Sequence, residues 1–503
     1  MAEHNFDLVI LGGGPGGYVA AIRGAQLGLK VAVIDENPQF GGTCLRVGCI
    51  PSKALLESSH LLVEARDNML EHGISATKLT VDLSTMMKRK ASVVDTLTGG
   101  INMLLKRNKV TTYVGRGKLI GNGQVEVSTN DTLTATNIII ATGSQPMHLK
   151  GVEYDGDFIG DSTTALSYSS VPRRLVVIGG GYIGLELGSV WSRLGSEVTI
   201  LEGTSQVLPG LDKEIARLAK RTFEKQGLTF KTDMWVESAK RSGDACVVQC
   251  KGQEPIECDR VLMAAGRVPN SKGVGLEAAG VNVDERGFVT VDSNLMTSAT
   301  NVYAIGDIIG GAMLAHKASE EGISVVEQIV DGTGHVNYEV IPAIVYTHPE
   351  IAMVGQTEEQ LKEADIKYRK GACPFGANGR ARAMGDSEGK IKILADAESD
   401  RILGVHAIGP RAGDLIAEAA VAMNFCASSE DLARVCHAHP TLSEVMLSSP
   451  RRRRPSDSHL NISNRMAHRS RVAEHSCFCL AVFLWLDLPW YVRSNAFRLY
   501  PPK

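Results

Sequence analysis

The chain opens on an apolar run, Phe6–Leu11, that breaks at Gly12-Gly13-Gly14-Pro15-Gly16-Gly17. Apolar positions return at helical spacing over Tyr18–Leu27, and a second apolar run, Lys30–Ile34, ends at Asp35. Short apolar runs bounded by glycine predict buried strands, and the longer periodic stretch predicts a helix between them. The pattern then repeats about 167 residues on: Arg174–Ile178, the turn Gly179-Gly180-Gly181-Tyr182-Ile183-Gly184 opening a helix to Leu194, then Glu197–Leu201 ending at Glu202. Three further runs, Thr136–Ile140, Arg260–Ala264 and Asn301–Ile305, exit into Ala141-Thr142-Gly143-Ser144, Gly266-Arg267 and Gly306-Asp307. From about Val340 the glycine fingerprints stop. Ile341–Tyr346, Lys390–Asp396 and a helix over Gly413–Ala427 predict a mixed sheet-and-helix unit.

Gly12, Gly14 and Gly17 fit G-x-G-x-x-G between a strand and a helix, and Gly179, Gly181 and Gly184 fit it again. In such a motif the first glycine turns the chain and the second lets backbone N–H groups approach a pyrophosphate. The third lets helix pack on strand, and the acid ending the next strand accepts from a ribose 2′-OH. One copy alone could be a plain glycine turn. Two copies with their acids, Asp35 and Glu202, predict two dinucleotides in one chain. Glu202 further predicts that the second is NAD, since a carboxylate there repels the 2′-phosphate of NADP.

At 503 residues the chain has room for about three domains of ~150 residues each. Hydrophobic content of 44% and charged content of 22% are those of a globular protein. Residues 447–503 hold nine Arg and one Lys against three acids, a net +7, which leaves −10 on residues 1–446. An acidic body gives no reason to propose nucleic-acid binding there, and the basic tail is a separate matter. The longest late apolar run, Cys477–Leu486, falls well short of the ~20 residues of a membrane span. With no targeting signal read at the N-terminus, the expected compartment is cytoplasmic, or the mitochondrial matrix for a mature eukaryotic form.

Ten cysteines scattered over this length are no secretory framework. Two stand five apart in Gly41-Gly42-Thr43-Cys44-Leu45-Arg46-Val47-Gly48-Cys49-Ile50-Pro51-Ser52-Lys53. In a relaxed helix such positions have Cα atoms roughly 8–9 Å apart, whereas a disulfide needs them within about 7 Å. A bond between them therefore requires a distorted turn, which Gly48 and Pro51 permit. By spacing alone the pair could also be two unrelated buried thiols or half a metal site. Late in the chain, Pro440 biases His439 toward an extended conformation. Glu444 can then reach back to one imidazole nitrogen, the base-plus-orienter arrangement that activates a nucleophile.

Together these motifs resemble the flavin-dependent disulfide oxidoreductases over residues 5–446, most closely the dihydrolipoyl dehydrogenase branch. The resemblance implies an α/β fold of two Rossmann-like domains, for FAD and NAD, plus an α+β dimerisation domain. Its expected bounds are 1–148 and 270–339 for FAD, 149–269 for NAD, 340–446 for dimerisation and 447–503 for an atypical, disordered basic tail. It implies a Cys44–Cys49 redox disulfide, with Cys44 meeting the dithiol substrate and Cys49 facing the flavin. His439 oriented by Glu444 is the implied base, and Lys53 paired with Glu186 stabilises thiolate and reduced flavin. FAD is expected against Gly12, Gly14, Gly17, Asp35, Lys53, Gly117, Thr142, Gly143, Ser144 and Asp307, and along Met313, Leu314, Ala315 and His316. NAD is expected against Gly179, Gly181, Tyr182, Gly184, Glu186, Glu202, Val236 and Gly266. Asp307 also suits a helix N-cap, and Tyr182 is either a lid over the nicotinamide or a packing aromatic.

The implied reaction is oxidation of protein-bound dihydrolipoamide with reduction of NAD⁺. The implied partners are a second copy of the chain and the lipoyl domains of E2 acyltransferases or the glycine cleavage H protein, with no nucleic acid, membrane or metal. A glutathione-type reductase is disfavoured by Gly184 and Glu202. A mercuric reductase is disfavoured by the missing N-terminal metal-binding domain. Cys477-Phe478-Cys479 leaves a C-terminal dithiol as a minor reading, and the altered C-terminus leaves a catalytically impaired flavoprotein as another.

Overall fold

The computed structural model describes residues 3–448 and 450. The Arg451–Arg454 run, the apolar stretch 477–490 and the expectation of a disordered tail lie outside the described residues.

The first glycine turn follows a strand, Glu3–Leu11, and precedes the helix Pro15–Gln26, with Val31–Asp35 as the next strand. Glu3–Leu11 pairs in parallel with Val31–Asp35 on one side and Asp131–Ile140 on the other. Thr111–Val114 and Val302–Ala304 add parallel strands beyond them. Leu8–Leu11 and Val31–Ile34 are buried without alternation, as strands covered on both faces must be. The second turn repeats the plan in a wholly parallel five-stranded sheet, with Arg174–Ile178 between Glu197–Leu201 and Arg260–Met263. The third sheet is antiparallel, in the order Ala343–Val345, Glu350–Gly355, Ile402–Gly409, Lys390–Asp396, Tyr368–Pro374. The helix Ala412–Asn424 lays Leu415, Ile416 and Ala419 on it.

Two local readings change. The late helix ends at Asn424 rather than Ala427, because Cys426 takes a left-handed φ of 54° that an α-helix cannot contain. Asp307 caps no helix: it sits inside the single 3₁₀ turn Gly306–Ile309, and its carboxylate accepts from the Ser144 hydroxyl at 2.5 Å. The 25-residue helix Leu83–Arg107, started by the Asp82 side chain, carries little net hydrophobic signal and was not expected from the sequence.

The helix Lys213–Lys225 of the second glycine-turn unit meets the antiparallel sheet at Lys392, which is fully buried. Its ammonium bonds Asp212 at 2.6 Å, Glu358 at 2.9 Å and Glu214 at 3.3 Å. Asp212 is also the N-cap of the helix Lys213–Lys225. Burial opposes the charge on Asp212 and Glu358, yet hydrogen bonds from Lys392 hold both carboxyls below their usual range. Their contribution is therefore present above the ordinary carboxylate pKa and lost as pH falls. Lys392→Met should leave the buried Asp212 carboxylate without its cation, while Glu358 keeps Lys362 and Lys370, and lower stability by about 3–5 kcal/mol, read as a fall in the urea midpoint near neutral pH that shrinks on acidification.

Candidate functional site

The cysteine loop is seated on the first glycine turn. Gly41 donates its N–H to the Gly13 carbonyl at 2.8 Å. Gly42, at φ +60°, comes so close to Gly14 that a Cβ on it would lie 2.5 Å from the Gly14 Cα. Cys44 lies in a short helix, Gly42–Val47, and Cys49 is the first residue of another, Cys49–Val63. Gly48 breaks the two apart, and a Cβ there would meet the Thr43 carbonyl oxygen at 2.8 Å. This break supplies the distortion that the spacing demanded.

The Cys44 and Cys49 sulfurs lie against one another. The Cys44 thiol donates to Cys49, and that bond, against burial and aided by Lys53, lowers the Cys49 pKa to about 7. Cys44 is correspondingly pushed up. The Lys53 ammonium favours negative charge on the Cys49 sulfur. Tyr18, on the helix after the glycine turn, is raised to about 12 by burial and then by the two sulfurs, which places it beside them.

Lys53 lies one turn beyond Cys49 and bonds the Glu186 carboxylate at 2.7 Å. Burial disfavours its charge, but Glu186 more than offsets that and raises its pKa. The other oxygen of Glu186 accepts the Tyr346 N–H at 3.0 Å, and the Lys53 ammonium sits 4.6 Å from the Tyr346 ring centre.

The glycine turns show which positions are filled and which are open. At Gly12 and Gly17 a Cβ would strike backbone, at 2.2 Å and 1.8 Å. Gly14 faces nothing nearer than 3.8 Å, and Gly181 nothing within 4 Å, so both helix N-termini look into free space. That space, backbone N–H groups at its floor and an acid at its side, fits a pyrophosphate at each turn. Asp35 accepts the Gly13 N–H at 2.8 Å, and Glu202 accepts the Gly180 N–H at 2.8 Å. Each carboxylate keeps lone pairs for a ribose hydroxyl. Thr142 and Asn270 bond reciprocally, side chain to carbonyl, at 3.0 and 2.9 Å. Gly143 accepts the Asn270 N–H, and Arg267 holds Ser144 through its hydroxyl and carbonyl, both at 2.7 Å. Gly266 follows that strand exit at φ +124°, and Gly117 lies against Leu11 and Ile34.

Leu314 precedes the helix Ala315–Asp331, and His316 bonds the Pro342 carbonyl at 2.7 Å, with Met313 in the turn before. Tyr182 packs against the core, with its hydroxyl raised to about 12 by burial. Val236 starts a strand beside the exposed Trp235, whose indole lies over Gly203. Sequence reasoning missed the buried Lys317–Glu321 pair, 2.8 Å apart, in which Glu321 accepts the Gly306 N–H and holds the Asp307 turn. An i,i+4 charge pair ordinarily marks a solvated helix face, so nothing in the sequence distinguished this one.

His439 and Glu444 meet as the motif requires, Nδ1 to Oε1 at 2.9 Å, with the second carboxylate oxygen accepting the Thr441 N–H. This fixes the proton on Nδ1 and leaves Nε2 as the basic atom. The His439 side chain is 78% exposed, and no hydrogen bond among the described residues joins it to either cysteine of its own chain. His437 is buried instead against Glu418, at 2.7 Å.

These features define a flavin-type disulfide reductase. Residues 6–322 match the family described as pyridine nucleotide-disulphide oxidoreductase, and residues 341–450 match its dimerisation domain. The chain belongs to this family of FAD- and NAD-using oxidoreductases, and its dimerisation domain supports a homodimer. It is 49% identical to the mitochondrial dihydrolipoyl dehydrogenase of Pisum sativum, over 88% of this chain and 90% of that protein. It is 46% identical to the dihydrolipoyl dehydrogenase of Cupriavidus necator, over 88% and 96%. Among solved structures, LpdA of Mycobacterium tuberculosis superposes with a TM-score of 0.82 at 28% identity, covering 89% of this chain and 99% of the other. No helix among the described residues is long and apolar enough to cross a membrane.

Two measurements probe the site. In the reduced protein, Cys44→Ala removes the largest influence lowering Cys49. The pH midpoint for Cys49 alkylation, followed by peptide mass spectrometry, should rise from about 7; an unmoved midpoint would assign the acidity to Lys53 alone. Glu202→Ala should weaken NAD⁺ use and narrow the preference over NADP⁺, measured as kcat/KM for each.

Proposed function

We propose that the chain is a dihydrolipoyl dehydrogenase, oxidising the dihydrolipoyl group of E2 acyltransferase lipoyl domains or of a glycine cleavage H protein. The observation that carries this reading is the hydrogen-bonded Cys44–Cys49 pair with Lys53 beside it and a separate His439–Glu444 base. The 46–49% identical dihydrolipoyl dehydrogenases support it, as does the Glu202 carboxylate for NAD. Relatives of mitochondrial and bacterial origin support placement in a mitochondrial matrix or a cytoplasm.

The proposed sequence begins with the Cys44–Cys49 disulfide closed. His439 Nε2 takes a proton from one substrate thiol, and Glu444 stabilises the imidazolium through Nδ1. The substrate thiolate attacks the Cys44 sulfur, forming a mixed disulfide and releasing Cys49 as a thiolate. Lys53 and the start of the Cys49–Val63 helix favour that charge. The second substrate thiol, deprotonated in turn, displaces Cys44, which leaves with the proton and returns to its hydrogen bond with Cys49. The substrate departs as a cyclic disulfide. FAD, when bound, supplies the two-electron link from Cys49 to NAD⁺; Gly14, Asp35 and Asp307 would hold FAD, and Gly181 and Glu202 would hold NAD⁺. With its ring exposed and, among the described residues, no hydrogen bond to its own cysteines, His439 serves the disulfide of the second copy in the homodimer.

His439→Gln should cost about 10²–10⁴-fold in dihydrolipoamide oxidation. Transfer from NADH to an artificial acceptor, which needs no disulfide, should largely survive. Equal loss of both activities would make His439 structural and overturn its role as base.

A further inference from the structure

We propose that His60, Glu64, His348 and Asp386 form a site for a divalent cation of the zinc class, apart from the redox dithiol. His60, Glu64 and His348 each offer one ligand atom, and these atoms lie within 4.8 Å of one another. His60 Nε2 is 3.7 Å from Glu64 Oε1, and His348 Nε2 is 3.6 Å from Asp386 Oδ2. The two imidazoles stack at 4.0 Å between centroids. None of these separations is a hydrogen bond, and His60 Nδ1 is buried with no partner. Four good ligands thus converge without satisfying one another.

The donor set suits a metal: two imidazoles and two carboxylates face one space. Neutral imidazoles bind metal without releasing a proton, and a dication balances both carboxylates. Arg193 opposes this, but its guanidinium is turned to the Leu56 carbonyl and Ser59 hydroxyl at 3.5 Å. A nitrogen and oxygen set of this kind selects zinc or a neighbouring transition metal over magnesium or calcium. Tetrahedral zinc with bonds of about 2.0–2.1 Å brings ligand atoms closer than they stand here. The four side chains are 24–34% exposed and can close by rotation.

The local backbone is unusual at this point. His60 and Glu64 are one turn apart where the Cys49–Val63 helix passes into a π turn, Glu64–Asn68, a form concentrated at functional sites. A bound ion would tie the helix carrying Cys49 and Lys53 to the segment after Tyr346.

The test uses the full-length, FAD-loaded protein with the Cys44–Cys49 disulfide closed, so that the dithiol cannot compete. Zinc(II) titrated by calorimetry should bind, and crystals should show an anomalous peak at the zinc edge between His60 and His348. Glu64→Gln and His60→Asn should each weaken affinity by about 10–100-fold or more, with flavin content unchanged. Absence of binding, a peak only elsewhere, or unchanged affinity in both variants would overturn the site.

Discussion

One carboxylate joins the three parts of the site. Glu186 stands on the helix of the second glycine motif, takes the ammonium of Lys53 from the cysteine helix and takes the backbone N–H of Tyr346 from the antiparallel sheet. It is 5% exposed, so leaving either partner unmatched would carry the penalty of a buried charge. Glu186 in turn more than offsets the burial that disfavours the Lys53 charge. The positive charge beside Cys49 is therefore a product of how the two nucleotide-binding units and the third sheet meet, rather than of the cysteine loop alone.

The loop itself is fixed by close backbone approach. Gly42 against Gly14 and Gly48 against Thr43 leave no room for a Cβ, and they put the two cysteines on separate helices in sulfur-to-sulfur contact. Gly14 thus works on two sides: one lies against Gly42, the other opens toward the pyrophosphate space. A helix start beside each site favours negative charge, the pyrophosphate at one and the Cys49 thiolate at the other.

Local order in the sequence explains what was legible. The strands Arg174–Ile178, Glu197–Leu201 and Lys390–Asp396 lie where apolar runs placed them, because buried strands leave a largely hydrophobic record. His439 and Glu444 are five residues apart, so their contact is short-range. The Cys44–Gly48–Cys49 break was legible as a need, through the spacing, without its form. What could not be read depends on distant partners. Lys392 looks like any strand lysine until Asp212 and Glu358 arrive 180 and 34 residues away in sequence. His60 and His348 are 288 residues apart and lone histidines in the chain. Arg267, which orders Ser144 and stands near Asp307, belongs to a short strand with no motif of its own.

The cysteine pair and the His439–Glu444 pair differ in exposure. Cys44, Cys49 and Lys53 are half-buried and Glu186 is buried, whereas the His439 ring projects with, among the described residues, only its Nδ1 engaged. A base held rigidly but facing outward is complete only when a second surface covers it. The dimerisation match runs through Glu444 to residue 450, so the dyad lies near the end of the segment that creates that surface. Val445 and Met446, immediately after Glu444, are buried in the core of the antiparallel sheet. Packing at these two residues anchors the dyad loop from its C-terminal side. The geometry of the His439–Glu444 pair therefore rests on the fold of the third sheet, while the Lys53 charge beside Cys49 is already built into a single chain.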